Sequence, residues 1–419
     1  MTETPFNPRD FLTGLFHRAV EVADPMAVLA DHLPERPAGR LVVIGAGKAS
    51  ARMAEAVEAH YGPCEGLVIT RYGYARPCMG IEIVEAAHPV PDAAGEAATA
   101  RLLDLVAGLG PDDQVIALIS GGGSSLLVAP TEGVSLDDKM AVNRALLASG
   151  APIGQMNVVR KHLSRVKGGQ LAAACAPARL LSLLISDVPG DDPGQIASGP
   201  TVGETGTAAD ARAIVARFGL DLPQSVRDAL DRPTGVVAPD DPRLARAETR
   251  IVAAPSASLE AAAGIARAAG IEVRILGDAI EGEARDLAVE HARMAKSLRG
   301  EGPVLLLSGG ECTVTRRGDG VGGPNAEYVL AAALELDGAE GIHVLACDTD
   351  GVDGAAEVAG ACIGPDLPQL ARMAGLDMRA ALDRNDAHSF FAAVDRQVVT
   401  GPTLTNVNDF RAILILPRL

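Results

Sequence analysis

The sequence contains no tryptophan, and aromatic residues make up only 3% of its 419 residues. Aliphatic side chains must therefore build the core, and they are available because hydrophobic residues reach 48%. No segment approaches the ~20 consecutive apolar residues that a membrane-spanning helix needs. The N-terminus, MTETPFNPRD, also lacks the basic and apolar regions of a signal peptide. These absences predict a cytoplasmic globular protein.

Positive charge is scarce in this chain. The 37 Lys and Arg residues stand against 54 Asp and Glu residues, which gives a formal net charge of −17 at pH 7. This balance argues against nucleic acid or an anionic membrane as the main partner, although a local basic pocket can still bind a small anion. The six cysteines form no CxxC pair, so we expect free, buried thiols rather than a zinc site.

Segments typical of strands and helices alternate along the chain, which predicts an α/β fold with a doubly wound, mostly parallel sheet. The N-terminal half begins with a helix predicted over 9–33, and a strand, a glycine turn and a helix are predicted over 41–61. A further strand is predicted over 81–86 and a further helix over 136–148. Residues 221–248 interrupt the alternation with many Pro and Asp residues, and a strand predicted at 250–254 restarts it. We therefore expect a Rossmann-like domain over 1–240 and a smaller α/β domain over 241–419.

The stretch Leu180–Thr201 combines a predicted buried strand with an acidic loop. Its apolar run ends before Ser186, and a turn-rich segment then carries Asp187, Asp191 and Asp192. Ligands of open α/β sheets lie beyond the carboxyl ends of the strands. These carboxylates are therefore placed to bind a cation or to take a proton, and the alternative is an acidic surface loop. Asp187 is nearest the strand end.

Two glycine-rich turns follow other predicted strands. One is Gly45-Ala46-Gly47-Lys48 and the other is Gly121–Ser125. Glycine allows backbone N–H groups to approach an anion closely, and the alternative is an ordinary tight turn. A lysine at a helix start opposes the helix dipole, so Lys48 indicates an anionic ligand or a carboxylate partner. The first turn is not a Walker A loop and is an incomplete dinucleotide fingerprint.

A basic segment and an acidic segment complete the candidate groups. A helix predicted over 157–167 would present one polar side that suits a carboxylate ligand, or would simply form a solvated basic face. The residues of that side are Asn157, Arg160, Lys161, Ser164 and Lys167. In the second half, carboxylates gather after two predicted strands, and clustered carboxylates suit Mg²⁺. These carboxylates are Glu311, Asp348, Asp350 and Asp353.

Together these segments resemble the glycerate 2-kinase family, whose C-terminal domain is called MOFRL and whose members also carry the name hydroxypyruvate reductase. The resemblance extends from Ile44 to Asp409, so it covers nearly the whole chain. It implies an ATP-dependent kinase that forms 2-phosphoglycerate from D-glycerate, with the active site in an interdomain cleft. The matching stretches are IGAGKAS, LISGGGSSLL, NVVRKHLSRVKGGQLA, LISDVPGDDPGQIASGPT, LLLSGGE, GGPNAEY, DTDGVDG, NDAHSFF and GPTLTNVND.

The resemblance implies catalytic roles for Lys48 and Asp187. Asp187 would take or orient the proton of the 2-hydroxyl group, and Lys48 would offset charge on the transferring phosphoryl group. The expected substrate-binding residues are Ser120, Gly122, Gly123, Ser124, Asn157, Arg160 and Lys161. The expected nucleotide-binding residues are Gly45, Gly47, Ser308, Gly309, Gly310, Glu311, Asn325, Thr405 and Asn406. The expected Mg²⁺ ligands are Asp348, Asp350 and Asp192.

Three features of the sequence depart from the family's pattern. The loop before Asn325 usually carries one basic residue and often a second, but Val321 and Pro324 occupy those positions here. Arg316 or Arg317 would have to contact the triphosphate instead. This departure concerns the nucleotide contacts and not the fold. The others are His388, where an aromatic or small residue is common, and Leu404, where glycine is usual.

Two other classes of function remain open. Reduction of hydroxypyruvate with NAD(P)H is supported by the Gly45–Gly47 turn, but Ser50 replaces the third glycine of the cofactor fingerprint. A non-catalytic sensor of sugar acids or nucleotides would keep the glycine-rich turns without requiring Asp187. The expected partners of the kinase are the small molecules D-glycerate and ATP, and a homodimer is left open.

Overall fold

The computed structural model describes residues 6–300 and 302–417, and these form two compact units. The N-terminal unit comprises residues 25–186 and 191–252. The C-terminal unit comprises residues 187–190, the described residues from 253 onwards and the segment that ends at Asp24. The chain therefore changes unit at residues 252–253 rather than near the predicted boundary at 240, and its first helix belongs to the C-terminal unit.

Strands and helices alternate through most of the described residues. The strands are β1 (Leu41–Ala46), β2 (Glu65–Arg71), β3 (Ile81–Ala86), β4 (Gln114–Ile119), β5 (Arg179–Ile185), β6 (Ala247–Ala253), β7 (Glu272–Gly277), β8 (Gly282–Glu283), β9 (Val304–Gly310), β10 (Cys312–Thr313), β11 (Ile342–Asp348), β12 (Gly360–Ile363), β13 (Gln397–Val398) and β14 (Asp409–Ile415). The α-helices are α1 (Pro8–Glu21), α2 (Pro25–Val28), α3 (Ser50–Tyr61), α4 (Ala93–Val106), α5 (Gly123–Leu126), α6 (Leu136–Ala148), α7 (Ile153–His162), α8 (Gln170–Cys175), α9 (Ala208–Arg217), α10 (Gln224–Leu230), α11 (Pro255–Ala268), α12 (Ala284–Ser297), α13 (Pro324–Leu336), α14 (Leu367–Met373), α15 (Met378–Asp383) and α16 (Ala387–Ala393). Among the helices of residues 6–300 and 302–417, none combines the length and apolar character that a membrane crossing requires.

The N-terminal unit is built on a six-stranded sheet in the order β3-β2-β1-β4-β5-β6. The pairs β3–β2, β2–β1, β1–β4 and β4–β5 are parallel. Every residue of β1 is buried, as is typical of a parallel strand that is covered on both faces. The strand, glycine turn and helix predicted over 41–61 are confirmed as β1, its turn and α3.

The Pro- and Asp-rich segment 221–248 stays inside the N-terminal unit. The N–H group of Val237 donates to Gly168 O (3.0 Å), and the N–H group of Glu204 donates to Val237 O (2.8 Å). These backbone hydrogen bonds, together with α10, make the segment a packed part of the unit rather than a linker. The strand beyond it, expected to open the second domain, is β6, the edge strand beside β5.

The C-terminal unit contains a mixed sheet in the order β13-β12-β11-β14-β9-β7. In its described residues β7 and β9 pair in parallel, whereas the other neighbours are antiparallel. Residues 349–359 join β11 to β12 without a helix, and a connection of this kind allows the chain to reverse direction. An α/β C-terminal domain is therefore confirmed, but its sheet is not mostly parallel.

The first predicted helix, over 9–33, is broken in the structure. α1 ends at Glu21, and the short helix α2 begins at Pro25. Proline has no N–H group and restricts the residue before it, so a helix cannot continue through this point unperturbed. α1 packs its apolar face against other elements of the C-terminal unit, including β14. The ring centroids of Phe16 on α1 and Phe410 on β14 lie 6.0 Å apart.

Candidate active site

The two glycines of the turn after β1 are required by close packing against β4. A Cβ atom on Gly47 would overlap Ser120 Oγ, and one on Gly45 would overlap Leu118 O. Gly47 also has a φ of 150°, in the region that favours glycine. Both glycines therefore have a structural reason to be present, and their predicted contact with a nucleotide stays a prediction.

The N–H groups at the start of α3 are bonded within the protein. The N–H group of Lys48 donates to Gly121 O (2.8 Å), and that of Ala49 donates to Ser120 Oγ (3.0 Å). Ser50 Oγ lies 3.2 Å from the same Ser120 hydroxyl. A phosphate group at this turn would have to compete with these acceptors. The turn thus fixes the backbone of Lys48, and the half-buried Lys48 side chain is the group best placed to meet an anion.

The glycine-rich turn after β4 lies beside Lys48. A Cβ atom on Gly122 (φ 80°) would lie 3.3 Å from Lys48 Cγ and 3.0 Å from His88 Cδ2. A Cβ atom on Gly123 would lie 2.8 Å from Ala197 Cβ. Because Gly122 and Gly123 have no side chain, the segments that carry His88 and Ala197 can approach this turn closely. The structure brings together the turns after β1 and β4, as expected at the carboxyl edge of a parallel sheet.

The helix predicted over 157–167 is not continuous. α7 ends at His162, and α8 begins after Gly168 and Gly169, both of which are left-handed (φ 58° and 77°). The five residues 163–167 between α7 and these glycines form a turn instead of a further helical turn. The single basic face that we expected does not exist, because Lys167 lies in this turn and its side chain is buried.

Three of the predicted substrate-binding residues nevertheless meet. Ser124 Oγ lies 2.9 Å from Ser198 Oγ, and the Ser198 hydroxyl donates to Asn157 Oδ1 (3.4 Å). Arg160 Nη1 donates to the same Asn157 oxygen (3.3 Å). Lys167 Nζ reaches the site from the turn and donates to Ser124 O (2.7 Å). Hydroxyl, amide and cationic groups are thus gathered in one place in the N-terminal unit.

The loop that carries Ser198 has a strained backbone. Ala197 (φ 51°), Ser198 (φ 63°) and Gly199 (φ 59°) are consecutive left-handed residues, a conformation that costs roughly 1–2 kcal/mol per non-glycine residue. The N–H groups of Gly168 and Gly169 hold this loop by donating to Ser198 O (3.2 Å) and Gly199 O (2.9 Å). Strain of this kind is concentrated at functional sites. Ser198 was not predicted from the sequence. The feature that could have indicated it is the run of small residues after the acidic loop.

Lys161 is engaged in a different interaction. Its Nζ forms an ion pair with Glu204, and the two side chains are only 3% and 13% exposed. Although burial raises it, the pKa of Glu204 lies below its ordinary value because Lys161 and backbone N–H groups donate to the carboxylate. Of the two cations expected to hold a substrate carboxylate, the structure therefore favours Arg160 over Lys161.

The carboxylates predicted to bind Mg²⁺ are divided between the two units. Asp348 Oδ1 accepts the N–H group of Asp350 (2.9 Å), and Asp350 Oδ1 accepts that of Val352 (2.8 Å). Asp192 is exposed in the N-terminal unit, where its Oδ1 accepts the N–H group of Gly194 (2.8 Å). Within residues 6–300 and 302–417, no group of three or more His, Cys, Asp or Glu is arranged to hold a metal ion. Asp348 and Asp350 lie together in the C-terminal unit, and the metal site stays a prediction.

Asp353 has a structural role that the sequence analysis did not anticipate. Its Oδ1 accepts the N–H group of Asn325 (3.0 Å), and its Oδ2 accepts that of Ala326 (2.8 Å), so it binds the first turn of α13. His388 Nε2 lies 2.9 Å from the same Oδ2. Because these groups occupy both carboxylate oxygens, Asp353 is not available as a metal ligand. The unusual histidine at 388 is its buried partner.

A buried ion pair contacts the carboxyl end of β9. Arg411 Nη1 donates to Asp409 Oδ2 (3.1 Å), and Arg411 Nη2 donates to Gly309 O (2.6 Å). Arg411 Nε also reaches Ser308 Oγ (3.3 Å), and Asn325 Nδ2 donates to Asp409 Oδ1 (2.6 Å). Burial raises the pKa of Asp409 to about 6, and Arg411 acts in the opposite direction. The sequence analysis missed this pair, which fixes three of the predicted nucleotide-binding residues from below.

The end of β9 and the residues on either side of β10 include the remaining candidates for nucleotide contact. Gly310 (φ 109°) passes so close to Ile280 that a Cβ atom would overlap its backbone. Glu311, Arg316 and Arg317 are exposed. The exposed position of the two arginines is compatible with the substitute role expected for them, which stays a prediction.

The segment before β14 contacts Asp187, the candidate base, which belongs to the same C-terminal unit. Asn406 Nδ2 donates to Asp187 Oδ2 (3.2 Å), which orients the carboxylate. Thr405 is fully buried, and its hydroxyl donates to Ala23 O (2.7 Å), so its role in the structure is to hold the end of the α1 segment. Leu404 has a φ of 65°, which explains why glycine is the residue expected at this position.

Comparison with known proteins places this geometry in a family. Residues 11–231 match the family model described as a domain of unknown function, DUF4147, and residues 304–409 match the MOFRL family. A protein of Agrobacterium vitis is 54% identical over 99% of this chain and 96% of its own length, and it carries the provisional name hydroxypyruvate reductase. The D-glycerate 2-kinase of Thermotoga maritima is 35% identical over 95% of this chain and 96% of its own length.

A solved structure agrees with this assignment. The crystal structure of glycerate kinase from Thermotoga maritima superposes with a TM-score of 0.87 at 34% sequence identity. The match covers 97% of this chain and 99% of that one. The similarity therefore includes both units. The chain belongs to the glycerate 2-kinase family, whose C-terminal region is the MOFRL domain.

Proposed function

We propose that this chain is a kinase that transfers the γ-phosphoryl group of ATP to the 2-hydroxyl group of D-glycerate. The observation that carries the proposal is the 35% identity, over 95% of the chain, to a protein named D-glycerate 2-kinase. The cluster of Ser124, Asn157 and Arg160 supports it, because these groups suit a small hydroxy acid with a carboxylate. Phosphoryl transfer depends mainly on positioning and charge neutralisation, which such groups provide.

Asp187 and Lys48 have different catalytic roles in this proposal. Asp187 accepts or orients the proton of the attacking 2-hydroxyl group, and the Asn406 amide, which donates to Asp187 Oδ2 (3.2 Å), holds the carboxylate in one orientation. Lys48 offsets negative charge on the transferring phosphoryl group. Asp187 belongs to the C-terminal unit and Lys48 to the N-terminal unit.

The nucleotide phosphates are assigned to the carboxyl end of β9. Ser308 and Gly309 are fixed there by Arg411, and Asn325, at the start of α13, is fixed by Asp409. Backbone that does not have to rearrange is suited to holding phosphate oxygens. Gly45 and Gly47 are weaker candidates, because their packing against β4 already explains them.

Asp348 and Asp350 are the residues that would hold Mg²⁺. Mg²⁺ is usually bound through one or two carboxylates together with substrate phosphates, and this adjacent pair fits that pattern. The backbone N–H groups that Asp348 Oδ1 and Asp350 Oδ1 accept fix the conformation of both side chains. When bound, the ion would neutralise charge on the nucleotide phosphates. Asp192 would be a further ligand, and nothing in its exposed turn supports that role.

Hydroxypyruvate reduction is the second candidate, because the relative from Agrobacterium vitis carries that name. A dinucleotide pyrophosphate normally binds the N–H groups at the start of the helix after β1. Here the N–H groups of Lys48 and Ala49 already donate to Gly121 O and Ser120 Oγ. The turn that gave this alternative its support is therefore poorly suited to NAD(P)H.

One pair of assays separates the two candidates. The purified protein is incubated with D-glycerate, ATP and Mg²⁺, and ADP is measured by chromatography; in parallel, hydroxypyruvate is supplied with NADH or NADPH and the absorbance at about 340 nm is followed. We expect ADP formation that depends on D-glycerate, with a turnover number on the order of 1–10³ s⁻¹, and no oxidation of either nicotinamide. ADP formation without glycerate, or none at all, contradicts the kinase proposal.

Cellular location and assembly are further parts of the proposal. The six cysteines, all described, are free, and five of them are buried. This is compatible with the reducing cytoplasm, where disulfides are rare. Cytoplasmic location and a homodimer both stay predictions.

A further inference from the structure

Lys139 occupies a core position on α6. The residues that α6 buries are Lys139, Val142 and Leu146, spaced as on the apolar face of a helix. A lysine at such a position normally extends its ammonium group to the surface. Lys139 is instead 5% exposed, and its Nζ has no hydrogen-bond partner within residues 6–300 and 302–417. The protein therefore buries a cationic group where an apolar residue would be expected, and does not neutralise it.

Two further cations lie close to Lys139. Asn143, one turn later on α6, accepts a hydrogen bond from Arg160 Nε (3.1 Å), so the Arg160 guanidinium lies against the face that carries Lys139. Lys167 is 1% exposed, and its Nζ donates to Ser124 O (2.7 Å). Burial, and then repulsion by Arg160, lowers the pKa of Lys139 to about 8. Burial and the neighbouring cations hold the pKa of Lys167 well below its ordinary value.

No carboxylate of the described residues offsets this charge. Glu204 forms its ion pair with Lys161 and not with any of these three cations. Lys139, Arg160 and Lys167 form no ion pair within the described parts of the chain. Buried charges are normally paired, so two buried lysines and a partly buried arginine without a carboxylate partner call for a negative ligand.

The polar groups around these cations are held in place by hydrogen bonds to one another. The strained, left-handed loop holds Ser198 between Ser124 and Asn157, and Asn157 Oδ1 in turn accepts from Arg160 Nη1 (3.3 Å). The hydrogen bonds of Arg160 use its Nε and Nη1 atoms, so Nη2 has no hydrogen-bond partner within the described residues and can donate to a ligand. Hydroxyl donors, a guanidinium edge and ammonium groups are thus preorganised at one site.

We infer that Lys139 is a substrate-binding residue, and that with Arg160 and Lys167 it forms a buried site for the carboxylate of a small hydroxy acid. The identity of that acid as D-glycerate rests on the proposed function. A carboxylate suits the site because both ammonium groups are almost completely buried, so only a small anion can reach them. It supplies one negative charge and two oxygens, which can accept from Lys139 Nζ and from the Arg160 edge.

The test compares Lys139→Met with Arg144→Met by isothermal titration calorimetry. Both variants remove one positive charge from α6, but Arg144 is exposed. We expect Lys139→Met to raise the Kd for D-glycerate about 30-fold, as for the loss of a buried charge-assisted hydrogen bond, and to leave the Kd for ATP within twofold. Arg144→Met should change neither value by more than twofold.

Thermal unfolding without ligand provides a second readout. Because the ammonium group is buried without a partner, Lys139→Met should unfold at the same temperature as the wild type or higher. Lower thermal stability in Lys139→Met assigns Lys139 a structural role and overturns the inference. A Kd for D-glycerate within threefold of the wild type in both Lys139→Met and Lys139→Gln overturns it as well. An increased Kd for ATP instead of glycerate assigns the cations to the nucleotide and also overturns it.

A smaller hydroxy acid distinguishes failure of this inference from failure of the proposed function. Glycolate has the carboxylate and 2-hydroxyl group of D-glycerate, whereas glycerol lacks the carboxylate. We expect glycolate, but not glycerol, to raise the unfolding temperature of the wild type, and to have no such effect on Lys139→Met. If the wild type shows no glycerate kinase activity but glycolate behaves in this way, the carboxylate site stands and the proposed function fails.

Discussion

The Asp187→Asn variant is expected to lose about 10³-fold in kcat while it binds D-glycerate and ATP with nearly unchanged Kd. Asparagine has the same shape as aspartate but cannot accept the proton of the 2-hydroxyl group, and general acid–base catalysis typically contributes about 10²–10⁴-fold. The amide oxygen of asparagine can still accept the hydrogen bond from Asn406 Nδ2, which spans 3.2 Å in the wild type. The variant should therefore fold normally.

The control for this variant is Asp104→Asn, because Asp104 is an exposed aspartate on α4, outside the proposed site. It should retain the wild-type kcat within twofold. Single-turnover measurements with bound ATP and glycerate separate the chemical step from product release. A kcat of Asp187→Asn within threefold of the wild type would remove Asp187 from the chemistry, and loss of folding in this variant would give its carboxylate a structural role.

The Lys48→Met variant is expected to lower kcat by about 10²–10³-fold, the usual effect of removing one group that stabilises charge in a transition state. The backbone should keep its conformation, because the Lys48 N–H group and not its side chain donates to Gly121 O (2.8 Å). The Kd for D-glycerate should change little, since the proposed carboxylate site consists of Lys139, Arg160 and Lys167.

Lys296→Met is the matched control for Lys48→Met. Lys296 is partly exposed on α12 in the C-terminal unit, where it pairs with Glu335 at the surface. Its replacement should leave kcat and both Kd values within twofold, because exposed ion pairs contribute little. If Lys48→Met keeps the wild-type kcat and instead weakens ATP binding, Lys48 serves to bind the nucleotide rather than to stabilise the transferring phosphoryl group.

Features of the fold that depend on local sequence could be predicted well. The predicted strand over 81–86 and the predicted helix over 136–148 have the bounds of β3 and α6. The helix begins where Ser135 and Asp138 form a capping box, and the strand follows Gly80 with apolar residues interrupted by Glu82 and Glu85. Both signals lie within a few residues of the element that they define.

Features that depend on distant partners could not be predicted in the same way. The place of β6 beside β5, and of β14 between β9 and β11, is decided by pairing between strands that are far apart in sequence. The break after His162 is stabilised by hydrogen bonds from Gly168 and Gly169 to the Ser198 loop. Neither arrangement leaves a periodic pattern in the sequence, and local propensity is overruled by tertiary contacts.

The candidate site shows the same division. Lys48, Ser124 and Asp187 stand next to strand ends, so residue type and position were enough to select them. Lys139 and the Asp409–Arg411 pair carry their charges inside the protein, where the sequence predicts apolar residues. Residues of this kind become visible only when burial and hydrogen-bond partners are known, and they are the ones whose presence demands a functional or structural reason.

The most direct test of the central claim is identification of the phosphorylated product. The wild-type protein is incubated with D-glycerate, ATP and Mg²⁺, and the mixture is analysed by ³¹P nuclear magnetic resonance with 2-phosphoglycerate and 3-phosphoglycerate as standards. The proposed function predicts 2-phosphoglycerate and ADP in equal amounts, with no 3-phosphoglycerate. Phosphorylation at the 3-hydroxyl group, or ADP released together with free inorganic phosphate and no phosphoglycerate, would contradict it.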